Sequence, residues 1–368
     1  MSELQSTMAL NWLKEKVFPL WSHQGIDPQT GVFVESLSLE GVPQPLPRRA
    51  LVQARQIFSF IEGYRLNVID LETLRPILTR ATRAFLNDYA IQSGAFVHSV
   101  DLEAKKVNAD VDLYTQAFAL FGLAHAYEIL CDDSLKSAAL KTLDYLYRER
   151  SHPAGGFTEI KNGELFFQSN PHMHLFEAAI AWVKIDPDPR WKKLAHELYQ
   201  LCSVNFIDTE TGFLAEHFDD QWQPVREKNN FIFEPGHHYE WAWLFIQYQK
   251  ITSTQTGTQA RKLFDLAERF GLDAEKKLAY DEIWSDRSVK KMSSRFWPQC
   301  ERIKAAAELN ESAIAATAMK SLFSQFIVPS QGLWRDTLLD SGRFDSQPAK
   351  ASSLYHIIYA ISEFVKHT

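Results

Sequence analysis

The chain has 368 residues and a formal charge of −7, with acidic and basic residues interspersed, so it carries no basic face for nucleic acid or an anionic membrane surface. No run approaches the roughly 18 apolar residues of a membrane span, and the N-terminus lacks an apolar signal core. Three widely separated cysteines, Cys131, Cys202 and Cys300, read as reduced thiols of a cytoplasmic protein, and a small neutral or weakly charged molecule is the partner this composition fits best.

Length alone argues for two domains. Ten Trp, 25 Phe and 12 Tyr are nevertheless spread over the whole chain with no linker between them, so residues 1–368 read as one domain. In chain order, helical periodicity covers 51–66, 71–89, 113–130, 135–147, 241–251 and 305–326. Short glycine-aromatic pieces punctuate it: Gly31-Val32-Phe33, Gly94-Ala95-Phe96, Gly155-Gly156-Phe157, Gly212-Phe213 and Gly332-Leu333-Trp334, spaced 63, 61, 57 and 120 residues apart. A degenerate copy near Asp281-Glu282-Ile283-Trp284 fills the last gap. Each period then holds two helices and one extended piece, and six such pairs must bury their inner faces on one another. The last helix, Leu354 to Val365, reads as a buried packing partner and not as a polar cap. An all-α (α/α)6 barrel, a ring of six helix hairpins with short β-hairpin or extended connections at its mouth, is the predicted fold.

In such a ring the starts of the inner helices become neighbours. Arg55 lies on a largely apolar helix, where a buried cation needs a partner. Asn170-Pro171-His172-Met173-His174-Leu175-Phe176-Glu177 opens the third inner helix, with Asn170 and His174, and His174 and Glu177, on shared faces. Pro235-Gly236-His237-His238-Tyr239-Glu240-Trp241 opens the fourth, with His237 and Glu240 three residues apart. Trp297-Pro298-Gln299-Cys300-Glu301 opens the fifth, where Trp297 can stack on a sugar and Glu301 can bind hydroxyls. Ser352-Ser353-Leu354-Tyr355-His356 opens the sixth. Arg226 reads either as a surface residue or as a lid on the cavity. Three histidines at three related helix starts are the residue type for proton transfer near neutral pH. No metal site is expected, because His172 and His174, and likewise His237 and His238, diverge on a helix and no His-Glu-x-x-His motif occurs. Nucleotide-binding glycine motifs are missing too, so no cofactor is expected. Glu177, Glu240 and Glu301 leave a glycoside hydrolase as a rival, and a sugar-binding barrel without catalysis, held by Trp297 and Arg55, as another.

Together the run Arg49 to Phe58 and the Asn-Pro-His-Met-His-Leu-Phe-Glu, Glu-Pro-Gly-His-His-Tyr-Glu-Trp, Trp-Pro-Gln-Cys-Glu and Ser-Ser-Leu-Tyr-His segments resemble the N-acylglucosamine 2-epimerase family, from about residue 10 to the end. The resemblance implies an (α/α)6 barrel, an acid/base pair in His237 and His356, an auxiliary His174 for ring opening or intermediate stabilisation, and substrate or supporting roles for Arg55, Asn170, Glu177 and Glu240. The compact C-terminal segment, with Gly332-Leu333-Trp334-Arg335-Asp336 before Ser352 to His356, is most similar to the D-mannose isomerase branch, and Ile357-Ile358 follows His356 near the place where acylglucosamine epimerases carry Pro-Arg. The expected reaction is metal-independent interconversion of D-mannose and D-fructose, or of D-lyxose and D-xylulose, through an enediol, by a monomer or homodimer. A sugar 2-epimerase of the mannose/glucose, cellobiose or N-acylglucosamine type is the alternative.

Overall fold

Local sequence sets where the helices start. Asp70, Asp112 and Asp132 each turn a carboxylate onto a free N–H of the following turn, those of Thr73, Thr115 and Ser134, while proline occupies the first turn at Pro189 and Pro235. A computed structural model describes residues 2–161 and 164–368. Its described residues form thirteen α-helices: α1 (Ser2–Trp12), α2 (Phe18–His23), α3 (Ala50–Arg65), α4 (Leu71–Tyr89), α5 (Leu113–Leu130), α6 (Asp133–Glu149), α7 (Ser169–Ile185), α8 (Pro189–Leu201), α9 (Pro235–Ile251), α10 (Gly257–Phe270), α11 (Phe296–Glu308), α12 (Ser312–Gln325) and α13 (Leu354–Lys366). A π-helical turn, Leu13–Val17, joins α1 to α2.

Helices α3, α5, α7, α9, α11 and α13 are buried over most of their length. Each packs on the next, and α13 returns to pack on α3. This is the inner ring. Outside it α4, α6, α8, α10 and α12 each cover the inner helix that precedes them, and α1 covers α13. The sixth hairpin is thus assembled from both ends of the chain. The fold is an (α/α)6 barrel. Inner helices approach closely where side chains are small: a Cβ on Gly122 of α5 would lie 2.8 Å from the Cβ of Ala54 on α3.

Antiparallel strand pairs rim the end at which the inner helices begin. Arg48–Arg49 pairs with Ser99–Val100, Glu164–Gln168 with His217–Phe218, Ile232–Phe233 with Glu282–Trp284, Ser294–Arg295 with Thr337–Leu338, and Ser36–Leu37 with Ala349–Lys350. The last pair joins the first repeat to the sixth. Among the described residues no helix is long and apolar enough to cross a membrane.

Two expectations are corrected. The stretch 305–326 is not one helix, because the chain turns at Asn310, in the left-handed region at φ 61°, between the end of α11 and the start of α12. The fifth copy of the glycine-aromatic piece lies at Lys277-Leu278-Ala279, before the Asp281–Trp284 segment. There Asp273 N–H bonds the Leu278 carbonyl and Lys277 N–H bonds the Asp273 carbonyl, at 2.9 Å each. The same two bonds form at Asp27-Gly31-Val32 and Asp208-Gly212-Phe213. Lys277 takes φ 58° where Gly31 and Gly212 take 75° and 77°, so a lysine stands in the position that sequence reading assigned to glycine.

Candidate active site

The first two turns of the inner helices carry two sets of side chains. One set ties each helix to its own extended piece: Gln53 bonds the N–H and carbonyl of Phe33, Gln116 those of Phe96, and Gln299 those of Ala279, at 2.8–3.1 Å. In the third and fourth repeats a histidine replaces the glutamine. His172 Nε2 accepts from Phe157 N–H at 3.0 Å and His238 Nε2 from Leu214 N–H at 3.1 Å, while each Nδ1 faces a carbonyl one turn back. Burial pushes both pKa values down to about 4, which keeps Nε2 free to accept. These two imidazoles belong to the scaffold.

The second set faces the barrel axis. His174, His237 and His356 line one cavity of about 150 Å³ together with Arg55, Asn170, Glu240 and Trp297. Tyr114 and Asn170 also line a neighbouring cavity of about 580 Å³, so the site continues beyond this volume. The Trp297 ring lies beside both outer imidazoles, with centroids 5.0 Å from His237 and 5.6 Å from His356.

His237 and His356 have like contacts and unlike charge. His237 Nδ1 lies 2.7 Å from Glu216 Oε2. Burial disfavours its cation, yet the Glu216 and Glu234 carboxylates outweigh burial and raise its pKa to about 9. His356 Nδ1 lies 2.7 Å from Glu301 Oε1. There burial prevails over that bond, aided by the positive charges of Arg55 and Lys304, and the pKa falls to about 4. One imidazole of the cavity is therefore a cation and the other neutral at pH 7.

Below the cavity, carboxylates and cations interlock. His174 Nδ1 is 3.1 Å from Glu177 Oε2, and both Glu177 oxygens accept from the Tyr355 hydroxyl at 2.6 Å. Lys304 Nζ is 2.5 Å from Glu301 Oε2. Arg55 lies 4.1 Å above the Phe118 ring and donates to Tyr114 at 2.8 Å and to the Ser352 carbonyl at 3.3 Å. Neither oxygen of buried Glu240 makes a hydrogen bond among the described residues, and the nearest imidazole nitrogen, His174 Nδ1, is 3.8 Å away. Burial and then the Glu301 charge push the Glu240 carboxyl well above the usual range, which favours its protonated, donating form in the cavity wall.

Residues 31–360 match the N-acylglucosamine 2-epimerase (GlcNAc 2-epimerase) family. The chain belongs to that family. It is 35% identical to a Rhizobium meliloti (strain 1021) protein named mannose-6-phosphate isomerase, over 98% of this chain and 96% of that one. Its fold superposes on a crystal structure of D-mannose isomerase with a TM-score of 0.87 at 21% identity, covering 100% of this chain and 97% of the other. A cellobiose 2-epimerase from Bacillus thermoamylovorans B4167 gives 0.86 at 15% identity, covering 100% of both. The protein is accordingly an enzyme acting on sugars, a sugar isomerase or epimerase of the N-acylglucosamine 2-epimerase family.

In this family member seven of the ten residues singled out from sequence line the cavity. Glu177 and Glu301 stand one step behind, each holding an imidazole. Arg226 is the exception and lies outside the cavity lining: it bonds Asp208 at 3.2 Å and the Asn229 carbonyl at 3.1 Å and lies over Phe231 in an exposed turn. Sequence reading missed Tyr114, Glu216, Glu234, Arg295, Tyr355 and Lys304. Glu216 had a detectable signal, because Glu35, Glu159 and Asp281 occupy the corresponding place after their own extended pieces. All four carboxylates accept from a backbone N–H at the start of an inner helix, those of Arg49, Leu113, Glu234 and Arg295. Three sets around the cavity bring one histidine and two carboxylates within 4.8 Å: His174, Glu177 and Glu240; Glu216, Glu234 and His237; and Glu240, Glu301 and His356. A cation bound through Nδ1 in any of them would displace an imidazole-carboxylate bond.

Proposed function

We propose that this enzyme is a metal-independent aldose-ketose isomerase interconverting free D-mannose and D-fructose. One observation carries the reading: two histidines facing one small cavity are pushed to opposite charge states, which is how a base and an acid are provided together at neutral pH. Neutral His356 takes the C2 proton of the open-chain aldose through Nε2. The C2–H electron pair becomes the C1–C2 double bond, and the carbonyl oxygen O1 takes a proton from the His237 imidazolium, giving an enediol. His237 then removes the O2 proton as the C2 carbonyl forms, and His356 returns its proton to C1. Glu240, as a neutral acid, donates to a sugar oxygen whose charge grows in the transition state. His174, tied to Glu177, assists ring opening.

Two alternatives have particular support. Similarity to a cellobiose 2-epimerase favours C2 epimerisation, in which a second histidine returns the proton to the opposite face of C2. The name of the Rhizobium relative favours a 6-phosphorylated hexose. Free sugar is the first choice because the cations at and below the cavity are already engaged: His237 with Glu216, Arg295 with Glu234 and Asp281, Lys304 with Glu301, and Arg55 with Tyr114 and Ser352. Incubation with mannose and with mannose 6-phosphate in deuterium oxide separates the readings. Deuterium at C1 of fructose is the expected result. Label at C2 of glucose identifies an epimerase, and turnover of the phosphate ester alone removes the free-sugar assignment.

A further inference from the structure

Helix α11 carries a lysine where the barrel leaves no solvent. Lys304 and Glu301 are both 0% exposed and share one helix face, three residues apart. The ammonium lies 2.5 Å from Glu301 Oε2, and the other oxygen of that carboxylate is 2.7 Å from His356 Nδ1. Three aromatic rings, Trp243, Tyr359 and Tyr355, surround the ammonium at 4.3, 4.8 and 6.0 Å. The residues that follow, Ala305, Ala306 and Ala307, are buried too and wholly apolar. Burying an ion pair gains little or no stability over apolar packing, so stability does not account for a charge here.

We infer that Lys304 is a positioning residue for His356: through Glu301 it fixes the tautomer and orientation that leave His356 Nε2 turned to the substrate. Without the ammonium, Glu301 would lose the nearest charge that keeps it ionised beside the carboxyl groups of Glu177 and Glu240, and would itself be pushed toward its protonated form. Loss of the Glu301 charge would release the bond that orients the imidazole. The groups facing this relay are Arg55 on α3, Tyr114 on α5, His174 and Glu177 on α7, His237 and Glu240 on α9, and Tyr355 and Tyr359 on α13. Of these Arg55 and the His237 imidazolium are the other cations, and both are engaged elsewhere, Arg55 against Phe118 and Tyr114 and His237 on Glu216. Lys304 therefore has no substitute.

The role in turnover rests on the isomerase reading, and the test has one readout that does not. In Lys304→Met the His356 imidazole, followed by 1H–15N NMR and assigned with His356→Asn, is expected to titrate at least about one unit lower, because the Glu301 charge that favours its cation is lost with the ammonium, whereas removal of a like charge alone would raise it. In the same variant kcat for mannose should fall at least about tenfold with KM within about twofold, and the acid limb of kcat/KM should move down in step. An unchanged imidazole titration with unchanged kcat would overturn the inference and leave Lys304 a packing residue. A lowered imidazole titration in an enzyme whose wild type turns over no aldose would refute the reaction while upholding the relay. If Lys304→Met does not fold, Glu301→Gln is compared with the double variant Glu301→Gln/Lys304→Met. A residue acting through Glu301 leaves kcat within about twofold between those two, and a further loss of about tenfold in the double variant would overturn its mode of action.

Discussion

His237 and His356 are the same side chain, each held through Nδ1 by one carboxylate at 2.7 Å, and they differ in what stands next to that carboxylate. Beside Glu216 is another acid, Glu234; beside Glu301 is Lys304. On the proposed mechanism the base must be neutral and the acid charged. kcat/KM should then hold a plateau bounded by an acid limb near the His356 value of about 4 and an alkaline limb near the His237 value of about 9. Glu216→Gln removes the nearest negative charge from His237, lowers its pKa and should draw the alkaline limb toward neutral pH while leaving the acid limb in place. A pH profile of the variant checks the sign, and an alkaline limb that stays near 9 would mean His237 is not the acid. Replacing either histidine by alanine should cost about 10²–10⁴ in kcat, the range for a general acid or base. Arg226→Ala is the matched control. Its side chain is engaged with Asp208 in a surface turn, so kcat and KM should stay at wild-type values, and a loss like that of the histidine variants would return it to the cavity.

At the scale of elements, the repeat separates scaffold from chemistry within a single helical turn. Where Gln53, Gln116 and Gln299 clamp their extended pieces with both an acceptor and a donor, His172 and His238 supply only the acceptor. His238→Gln should therefore preserve the fold and most activity, whereas His238→Ala leaves the buried Leu214 N–H unpaired and should cost about 1–3 kcal/mol in denaturant unfolding. The turn at Lys277 makes the opposite case. Its left-handed backbone costs an L-residue about 1–2 kcal/mol, part of which glycine gives back as chain entropy, so Lys277→Gly should raise the unfolding midpoint. The same features mark how far the sequence was legible. The 60-residue rhythm, the inner-helix starts and seven cavity residues could be read because glycine-aromatic turns and helix-opening motifs are local. The fifth turn was hidden because a lysine stands where glycine was sought, and the 309–311 turn because Asn310 reverses the chain without a glycine or proline. Tyr114 gains its role only when α5 packs on α3 and brings it to Arg55, and Lys304, one turn from Glu301 on α11, reads from sequence like any surface ion pair until the ring buries it. Spacing along one helix also cannot tell a clamp such as His172 from a cavity residue such as His174, since both sit within one turn.

Ring closure decides how the whole molecule holds its site. The cavity draws on α3, α5, α7, α9, α11 and α13, so no subset of hairpins contains it. The seam between the first and last repeats is fastened by α1 on α13, by Ser36–Leu37 on Ala349–Lys350 and by the stacked Trp21 and Trp334 rings, 5.2 Å apart. An open solenoid can lose a terminal repeat and keep the others. In a closed ring the loss of one contact exposes the faces of its two neighbours, and α13, which bears His356, is one of the faces that α1 covers. We propose that the 368 residues unfold as one cooperative domain, and Trp12 tests this. It is 5% exposed on α1, against Phe323 at 5.4 Å and far from the cavity, so Trp12→Ala should cost about 3–5 kcal/mol. Far-UV circular dichroism and tryptophan fluorescence should fall together in one transition at a lower denaturant concentration, with kcat at wild-type values below it. If the repeats were separable units, the variant would instead lose α1 and α13 first, activity would vanish in an early step, and the remaining helices would melt at the wild-type midpoint.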